Sequence, residues 1–321
     1  MARPAILLTV IGGYLGAGKT TLLNHVLRDA GDRRLAVLVN DFGAINIDAE
    51  LVAARDGETM SLTNGCICCG IGGDFIAALA LLRDVDDPPA QVVVEASGVA
   101  DPAQIAILGD MPGYRRDAVV VVVDAETVRA RAADESTGHS VRMQLRAADL
   151  LVINKTDLVE AADLDALRAW LRDIAGPSTA IVDTAYGAVP TDVLLGAPGA
   201  LQPRSQRRAQ PHDHDAHEHP QYATWSFTGD APLSGAGFVD ALQALPDGIV
   251  RAKGLLHLRE DAANRYLLQL VGRRFSIEAV GPWGDEQPAS RLGVVGLPGS
   301  VDEEALQDTL TRLGAGAPAA G

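Results

Sequence analysis

The sequence predicts a doubly wound α/β domain with a mostly parallel sheet, followed by a smaller α+β domain. Three observations carry that expectation. From Ile6 to about Val182, short β-branched runs alternate with helical stretches. A glycine-rich segment, Gly13-Tyr-Leu-Gly-Ala-Gly-Lys-Thr20, joins the first run to the first helical stretch. A proline-rich polar break at 196–220 then separates this region from about a hundred residues of different patterning.

The runs are Ile6–Ile11, Leu35–Asn40, Gln91–Glu95, Ala118–Asp124, Leu150–Asn154 and Thr179–Asp183. Their near-continuous Val, Ile and Leu content suits strands covered on both faces, as in a parallel sheet between helices. Helical patterns lie between them, at Lys19–Asp29 and Leu164–Ile174 for example, in the order of a doubly wound fold. The break contains Pro198, Pro203, Pro211 and Pro220 and the run His212-Asp-His-Asp-Ala-His-Glu-His219, the composition of a flexible polar linker. Beyond it, Tyr222–Phe227 alternates like a strand and Leu233–Leu245 suits a helix. Tyr266–Val271 and Phe275–Val280 suit a strand pair around Gly272, and Arg291–Gly296 a further strand. Val301–Leu313 opens on Asp302, Glu303 and Glu304, acids that favour the first turn of a helix. The expected division is a domain at 1–196, a linker at 197–220 and a second domain at 221–315.

With 321 residues, 47% hydrophobic and 21% charged, the chain has the composition of a globular protein of two ordinary domains. Aromatics are only 4%, so the core is expected to be aliphatic. A formal net charge of −15 argues against nucleic-acid or anionic-membrane partners, which need a basic surface. The run Ala118–Val123 is far too short to cross a bilayer. The apolar stretch Ala5–Ile11 leads straight into the glycine-rich segment without a small-residue cleavage site, so a signal peptide is not expected. All three cysteines lie between Cys66 and Cys69, unlike the dispersed cysteines of a secreted disulfide framework. The expectation is a cytoplasmic protein with reduced thiols.

The segment Gly13–Thr20 matches the P-loop pattern in its required setting, a strand before and a helix after. Glycines let backbone N–H groups curl around phosphate oxygens, and the helix N-terminus adds partial positive charge. The expected nucleotide contacts are Gly13, Gly16, Ala17, Gly18, Lys19, Thr20 and Thr21. Lys19 would reach the β- and γ-phosphates, and the Thr20 hydroxyl would bind Mg²⁺. Asn154-Lys155-Thr156-Asp157, at the end of an apolar run, fits a guanine-specificity element. A carboxylate at Asp157 can accept both N1–H and N2–H of guanine, a donor pair that adenine lacks. Thr184 and Ala185 are candidates for backbone contacts to the base.

Two acids are candidates for organising Mg²⁺, Glu95 after Val92-Val93-Val94 and Asp124 after a longer valine run. Glu95 is favoured because Gly98, three residues on, would offer its N–H to the γ-phosphate. Asp124 has the alternative of capping the next helix.

Cys66, Cys68 and Cys69 in Asn64-Gly-Cys-Ile-Cys-Cys69 can bind a soft or borderline cation such as Zn²⁺, Co²⁺ or Cu⁺. A buried structural trio of cysteines, a redox pair of Cys66 and Cys69, and a structural zinc site are the alternatives. No cysteine elsewhere supplies the second ligand pair that a structural site usually has.

Five segments together resemble the CobW family of metal-chaperone GTPases. They are Gly12–Leu23, Val39-Asn-Asp-Phe-Gly43, Gly65-Cys-Ile-Cys-Cys69, Glu95-Ala-Ser-Gly-Val-Ala-Asp-Pro102 and Asn154–Asp157. The likeness spans about Thr9 to Leu158, with support from the His-rich linker and, more weakly, from Arg251-Ala-Lys-Gly254. The resemblance implies a P-loop GTPase domain joined to a CobW-type C-terminal domain. It implies GTP and GDP as nucleotides, Mg²⁺, and a transition metal for which zinc is the first expectation and cobalt or iron the others. It also implies a client metalloprotein, with a nucleotide- or metal-dependent dimer as a further expectation. Asn40 to Asp48 would be the first switch, with Asp48 a Mg²⁺ candidate, and Gly98 to Pro102 the second. Lys19, Thr20 and Glu95 are the expected catalytic set. Asp41 and Ala44 depart from the acids usual in the family, which puts any oxygen ligand from that switch in doubt.

Overall fold

The structure is a computed structural model that describes residues 4–31, 33–40, 59–62, 73–197 and 222–315. The first aliphatic run forms β1 (Ile6–Gly12), buried at every position. The other strands of this unit are β2 (Leu35–Asn40), β3 (Thr59–Leu62), β4 (Gln91–Glu95), β5 (Tyr114–Asp124), β6 (Leu150–Asn154) and β7 (Ala180–Asp183). They lie in the order β3-β2-β4-β1-β5-β6-β7, and each neighbouring pair is parallel. β4 and β6 are buried throughout, as strands covered by helices on both faces must be.

The helices are α1 (Lys19–Arg28), α2 (Gly73–Asp84), α3 (Pro102–Ala106), α4 (Val128–Ala133), α5 (Gly138–Ala147), α6 (Ala161–Ala175) and the short α7 (Thr191–Leu195). Phe75, Ala78, Leu79 and Leu82 of α2 recur at helical spacing and are buried, as are Leu167 and Leu171 of α6. Each fully buried Leu or Phe contributes about 1.5–3 kcal/mol relative to exposure, so these stripes fix the helices on the sheet.

Two strands of this first unit differ from expectation. β3 is an edge strand of four residues, Thr-Met-Ser-Leu, too short and too polar to stand out as a run. β5 begins at Tyr114 rather than Ala118 because its charged start is satisfied inside the sheet. Thr9 and Gln91 donate to Asp117 Oδ2 at 2.8 and 2.7 Å, and Arg116 pairs with Asp149 at 3.4 Å.

The described residues form two compact units that divide between Leu194 and Leu195. The second contains β8 (Ala223–Gly229), α8 (Gly235–Gln243), β9 (Ile249–His257), β10 (Asn264–Val271), β11 (Arg274–Pro282), β12 (Ser290–Gly296) and α9 (Glu303–Ala315). Its five strands are antiparallel in the order β11-β10-β9-β12-β8. Ser234 caps α8 by accepting from Gly237 N, and Asp302 accepts from Ala305 N at 2.9 Å at the start of α9. Phe238 and Leu242 of α8 and Leu310 of α9 share a core with Ala252, Leu256, Leu268, Leu270, Leu292 and Val294 of the sheet.

The central strand β9 has no counterpart in the sequence expectations. Its residues Ile-Val-Arg-Ala-Lys-Gly-Leu-Leu-His carry two long cations, yet all nine positions are buried. Arg and Lys are rarely buried to this degree, and their presence broke the apolar pattern by which a central strand is normally recognised. Among the described residues, no helix is long and apolar enough to cross a membrane.

Candidate nucleotide site

The expected phosphate loop lies between β1 and α1, at the C-terminal end of the sheet. In this unit β1 is flanked by β4 on one side and β5 on the other, so the chain continues to both sides of it. Crevices at such points are where open α/β sheets bind ligands. The loop curls back on itself, with Ala17 N donating to Tyr14 O at 3.1 Å and Leu22 N to Gly18 O at 3.0 Å. Lys19 is buried, and its Nζ lies 3.5 Å from Tyr14 O.

Gly18 has φ 103° and caps α1 without a side chain. A Cβ there would collide with Asn154 Nδ2, so both backbone conformation and space demand glycine. The close approach exists because Asn154 ties three segments together. Its Nδ2 donates to Ala17 O at 2.9 Å, and its Oδ1 accepts from Gly187 N at 2.9 Å. The amide is 2% exposed, so both bonds are shielded from water.

The two candidate acids differ in what each touches. Register pairs Glu95 with Ile11 at the end of β1, which brings its carboxylate to the start of α1. Thr20 Oγ1 donates to Glu95 Oε1 at 3.0 Å. Asp124 is engaged elsewhere. Its Oδ1 accepts from Glu126 N at 3.0 Å and Thr127 N at 3.2 Å, turning the chain toward α4, and its Oδ2 accepts from Lys155 Nζ at 2.7 Å. Burial alone would raise the Asp124 pKa. Lys155 and the two backbone donors outweigh it and hold the carboxyl below the usual carboxylate range.

Lys155 has φ 61°, a left-handed conformation uncommon outside glycine. Thr156 fastens this turn to the loop after β7, its N and Oγ1 donating to Thr184 O at 3.3 and 3.1 Å. Asp157, one residue on, is exposed, and its carboxylate has no hydrogen bond among the described residues. Tyr186 in the facing loop is also left-handed, at φ 57°, and is 71% exposed. Strain of this sort gathers at ligand sites.

The segment after β4 runs against the phosphate loop. A Cβ on Gly98 would lie 2.8 Å from Leu15 N, so only glycine permits the contact. Asp101 accepts from Ala103 N at 2.9 Å and, with Pro102 behind it, starts α3. Ser97 Oγ is buried and has no hydrogen-bond partner among the described residues. A buried hydroxyl left in that state suits a site whose partner arrives with a ligand.

The structure thus gathers Gly13, Gly16, Ala17, Gly18, Lys19, Thr20 and Thr21, together with Glu95, Gly98, Asn154, Lys155 and Asp157, at the ends of β1, β4 and β6. Cys66, Cys68, Cys69, Asp41, Ala44, Asp48 and the His-rich run lie outside the described residues. Among those described, no group of three or more His, Cys, Asp or Glu is arranged to hold a metal ion. The pairing of Asp124 with Lys155 escaped the sequence analysis. Its one sequence signal was the position of Asp124 at a strand end, in register with Asn154 of the neighbouring strand.

Residues 7–182 match the family described as "CobW/HypB/UreG, nucleotide-binding domain", and residues 222–313 match "Cobalamin synthesis protein cobW C-terminal domain". Three curated relatives extend over nearly the whole chain. The zinc chaperone CobW of Sinorhizobium sp is 30% identical, the match covering 95% of this chain and 96% of the relative. The zinc chaperone CobW of Pseudomonas aeruginosa is 32% identical, with 94% and 90% covered. The zinc chaperone YjiA of Escherichia coli is 29% identical, with 96% and 98% covered.

Proposed function

This chain belongs to the CobW/HypB/UreG family, and from that premise we propose that it is a GTP-hydrolysing metallochaperone carrying zinc to a client metalloprotein. The observation that supports the nucleotide half of this reading is the bond between Thr20 Oγ1 and Glu95 Oε1 beside the phosphate loop. A hydroxyl and a carboxylate in that position suit one end of a Mg²⁺ shell. Ser97 Oγ, without a partner among the described residues, and the exposed Asp157 carboxylate fit the two ends of a guanosine triphosphate.

In this reading Lys19 and the loop amides from Gly13 to Thr21 hold the phosphates, and Gly98 N–H meets the γ-phosphate. Asp157 accepts from N1–H and N2–H of guanine, while Lys155 and Asn154 hold the turn that presents it. Thr20 and Glu95, with Asp48 as a further candidate, would hold Mg²⁺, which would supply charge neutralisation at the phosphates. Water attacks the γ-phosphorus, and the bond to the β–γ bridging oxygen breaks to give GDP and phosphate. No side chain is assigned to the attacking water, so slow intrinsic turnover is expected, with acceleration by the client.

Cys66, Cys68 and Cys69 are the proposed cargo ligands, with zinc first because the relatives at near-full coverage are named zinc chaperones. They lie between the two proposed switches in sequence. Coupling means that GTP favours the metal-holding arrangement and hydrolysis releases it. The domain division at 1–196, 197–220 and 221–315, a nucleotide- or metal-dependent dimer and a cytoplasmic location belong to the same proposal.

The test is zinc competition against a chromophoric chelator with GDP, with a non-hydrolysable GTP analogue, and without nucleotide, alongside phosphate release. Zinc held at least about tenfold more tightly with the analogue, a coupling of about 1.4 kcal/mol, is the expected result. Equal affinity in all three states overturns the coupling. Zinc affinity unchanged in a Cys66→Ser, Cys68→Ser, Cys69→Ser variant overturns the cargo site.

A further inference from the structure

Three consecutive carbonyls of the segment that follows β4 are held by side chains of one helix. Gln144 Nε2 on α5 donates to Gly98 O at 3.0 Å and to Ala100 O at 3.0 Å. Ser140 Oγ, one turn earlier on α5, donates to Val99 O at 3.3 Å. Gln144 is 1% exposed. It occupies the inward stripe of α5 with Val141 and Leu145, where a Leu or Met would serve packing equally well. A buried amide in such a stripe carries a desolvation cost that its two bonds must offset.

The neighbouring helix α4 reaches the phosphate loop. Arg131 of α4 lies over the ring of Tyr14 at 5.0 Å, and α4 and α5 are joined by a bond from Arg142 to Ala132 O. Tyr14 precedes Leu15, the residue on which Gly98 rests. The α4–α5 pair therefore braces both walls of the groove between Gly98 and Leu15, one through a guanidinium on an aromatic ring and the other through Gln144.

We propose that Gln144 is a positioning residue that holds Gly98 closed on the phosphate loop, so that its N–H is already placed for a γ-phosphate. The inference rests on the GTP reading above and adds to it the element that sets the closed position. An amide fixed before ligand arrives loses little freedom on binding. Without Gln144 the segment must be ordered by the γ-phosphate itself. GDP has no γ-phosphate and does not use this contact. The consequence is selective: Gln144 sets the ratio of triphosphate to diphosphate affinity, not nucleotide affinity in general.

The experiment compares wild type with Gln144→Met, which fills the same space without donors, and Ser140→Ala, which removes only the outer bond. Affinities for GDP and for a non-hydrolysable GTP analogue, both with Mg²⁺, are measured together with amide hydrogen exchange over residues 97–101. Gln144→Met is expected to keep GDP affinity within about twofold and to weaken the analogue about tenfold, the worth of roughly one hydrogen bond. Amides of Val99 and Ala100 should exchange faster in the free protein. Ser140→Ala should shift the same ratio in the same direction by about two- to threefold.

Equal weakening of both nucleotides in Gln144→Met, or no change in either, overturns the proposal. Should Gln144→Met fail to fold, Ser140→Ala decides, and an unchanged ratio with unchanged exchange overturns the proposal. A wild-type protein that binds neither guanine nucleotide sinks the GTP reading instead, so the two failures are distinguishable.

Discussion

Asn154 Nδ2 donates to Ala17 O at 2.9 Å, joining the end of β6 to the phosphate loop through a side chain that water does not reach. Because Asn154 Oδ1 also accepts from Gly187 N at 2.9 Å, this one amide sets the spacing of three loops. Asn154→Ala would orphan a carbonyl and an N–H together. Each such group costs on the order of 1–3 kcal/mol, so a clear fall in melting temperature and loss of affinity for GDP and GTP alike are expected. Thermal unfolding and nucleotide titration check this. A variant as stable as wild type that still binds GDP would mean the three loops are held by other contacts.

The bond from Thr20 to Glu95 makes a narrower prediction. Glu95→Gln keeps an oxygen to accept from Thr20 but removes the charge that suits a divalent cation. Nucleotide affinity measured in chelator should stay near that of wild type. The gain in affinity on adding Mg²⁺ should shrink, and turnover should fall about a hundredfold, the scale of losing one preorganised electrostatic group. If the Mg²⁺ dependence survives, Glu95 is a structural acid and the metal is held elsewhere.

How much of this was legible beforehand depends on what each residue answers to. The parallel strands stood out because β1, β4 and β6 are buried on both faces and their sequences are continuously aliphatic. The loop between β1 and α1 was legible because Gly13, Gly16 and Gly18 all take positive φ, a backbone demand that leaves glycines in the sequence. β9 was not legible, because the local pattern of Arg251, Lys253 and His257 reads as surface while the folded unit buries all three. Gln144 was hidden for the complementary reason. One polar residue in an apolar stripe looks like noise until the carbonyls it meets, more than forty positions away, are known. Fold and motif are local properties of the chain, whereas braces such as Asp124 and Gln144 are long-range pairings with no local signature.

Tyr114, at the start of β5, offers a test of packing independent of any ligand. Its hydroxyl donates to Leu79 O at 2.6 Å, pinning α2 to the sheet. Burial is the largest influence on its ionisation and raises the pKa; nearby Arg83 opposes and Asp84 reinforces, leaving it at about 12. The unfolded chain would lose this proton near pH 10. The native state therefore favours the neutral phenol, and the stability this contributes is complete below pH 10 and disappears as pH rises toward 12. Ultraviolet titration should show Tyr114 ionising near pH 12, and Tyr114→Phe should remove that component, leaving any delay of Tyr266, whose bond to Asp261 also raises its pKa. The variant should be less stable by about 0.5–1.5 kcal/mol, the net worth of one hydrogen bond. A titration of Tyr114→Phe identical to wild type would assign the late phase to another tyrosine.

Asp124 and Lys155 link electrostatics to the turn proposed to meet the base. Lys155 sits in a left-handed turn directly before the proposed guanine acceptor Asp157, and the bond of 2.7 Å to Asp124 fixes its ammonium on the β5 side of that turn. Asp124→Asn preserves an oxygen for Glu126 N and Thr127 N, so the turn into α4 should persist, while the attraction that restrains Lys155 is lost. The expected outcome is a loss of guanine-nucleotide affinity of about three- to tenfold, comparable to one charge-assisted hydrogen bond partly screened by solvent. Acid behaviour supplies the second arm. Because the folded carboxyl titrates below its ordinary value, it stabilises the native state above about pH 4, and that contribution is lost as pH falls through the lower folded value. Wild-type stability should therefore decline more steeply than that of Asp124→Asn as pH falls below about 4. Parallel acid-unfolding curves, or unchanged GDP affinity, would show that Lys155 is held by its backbone alone.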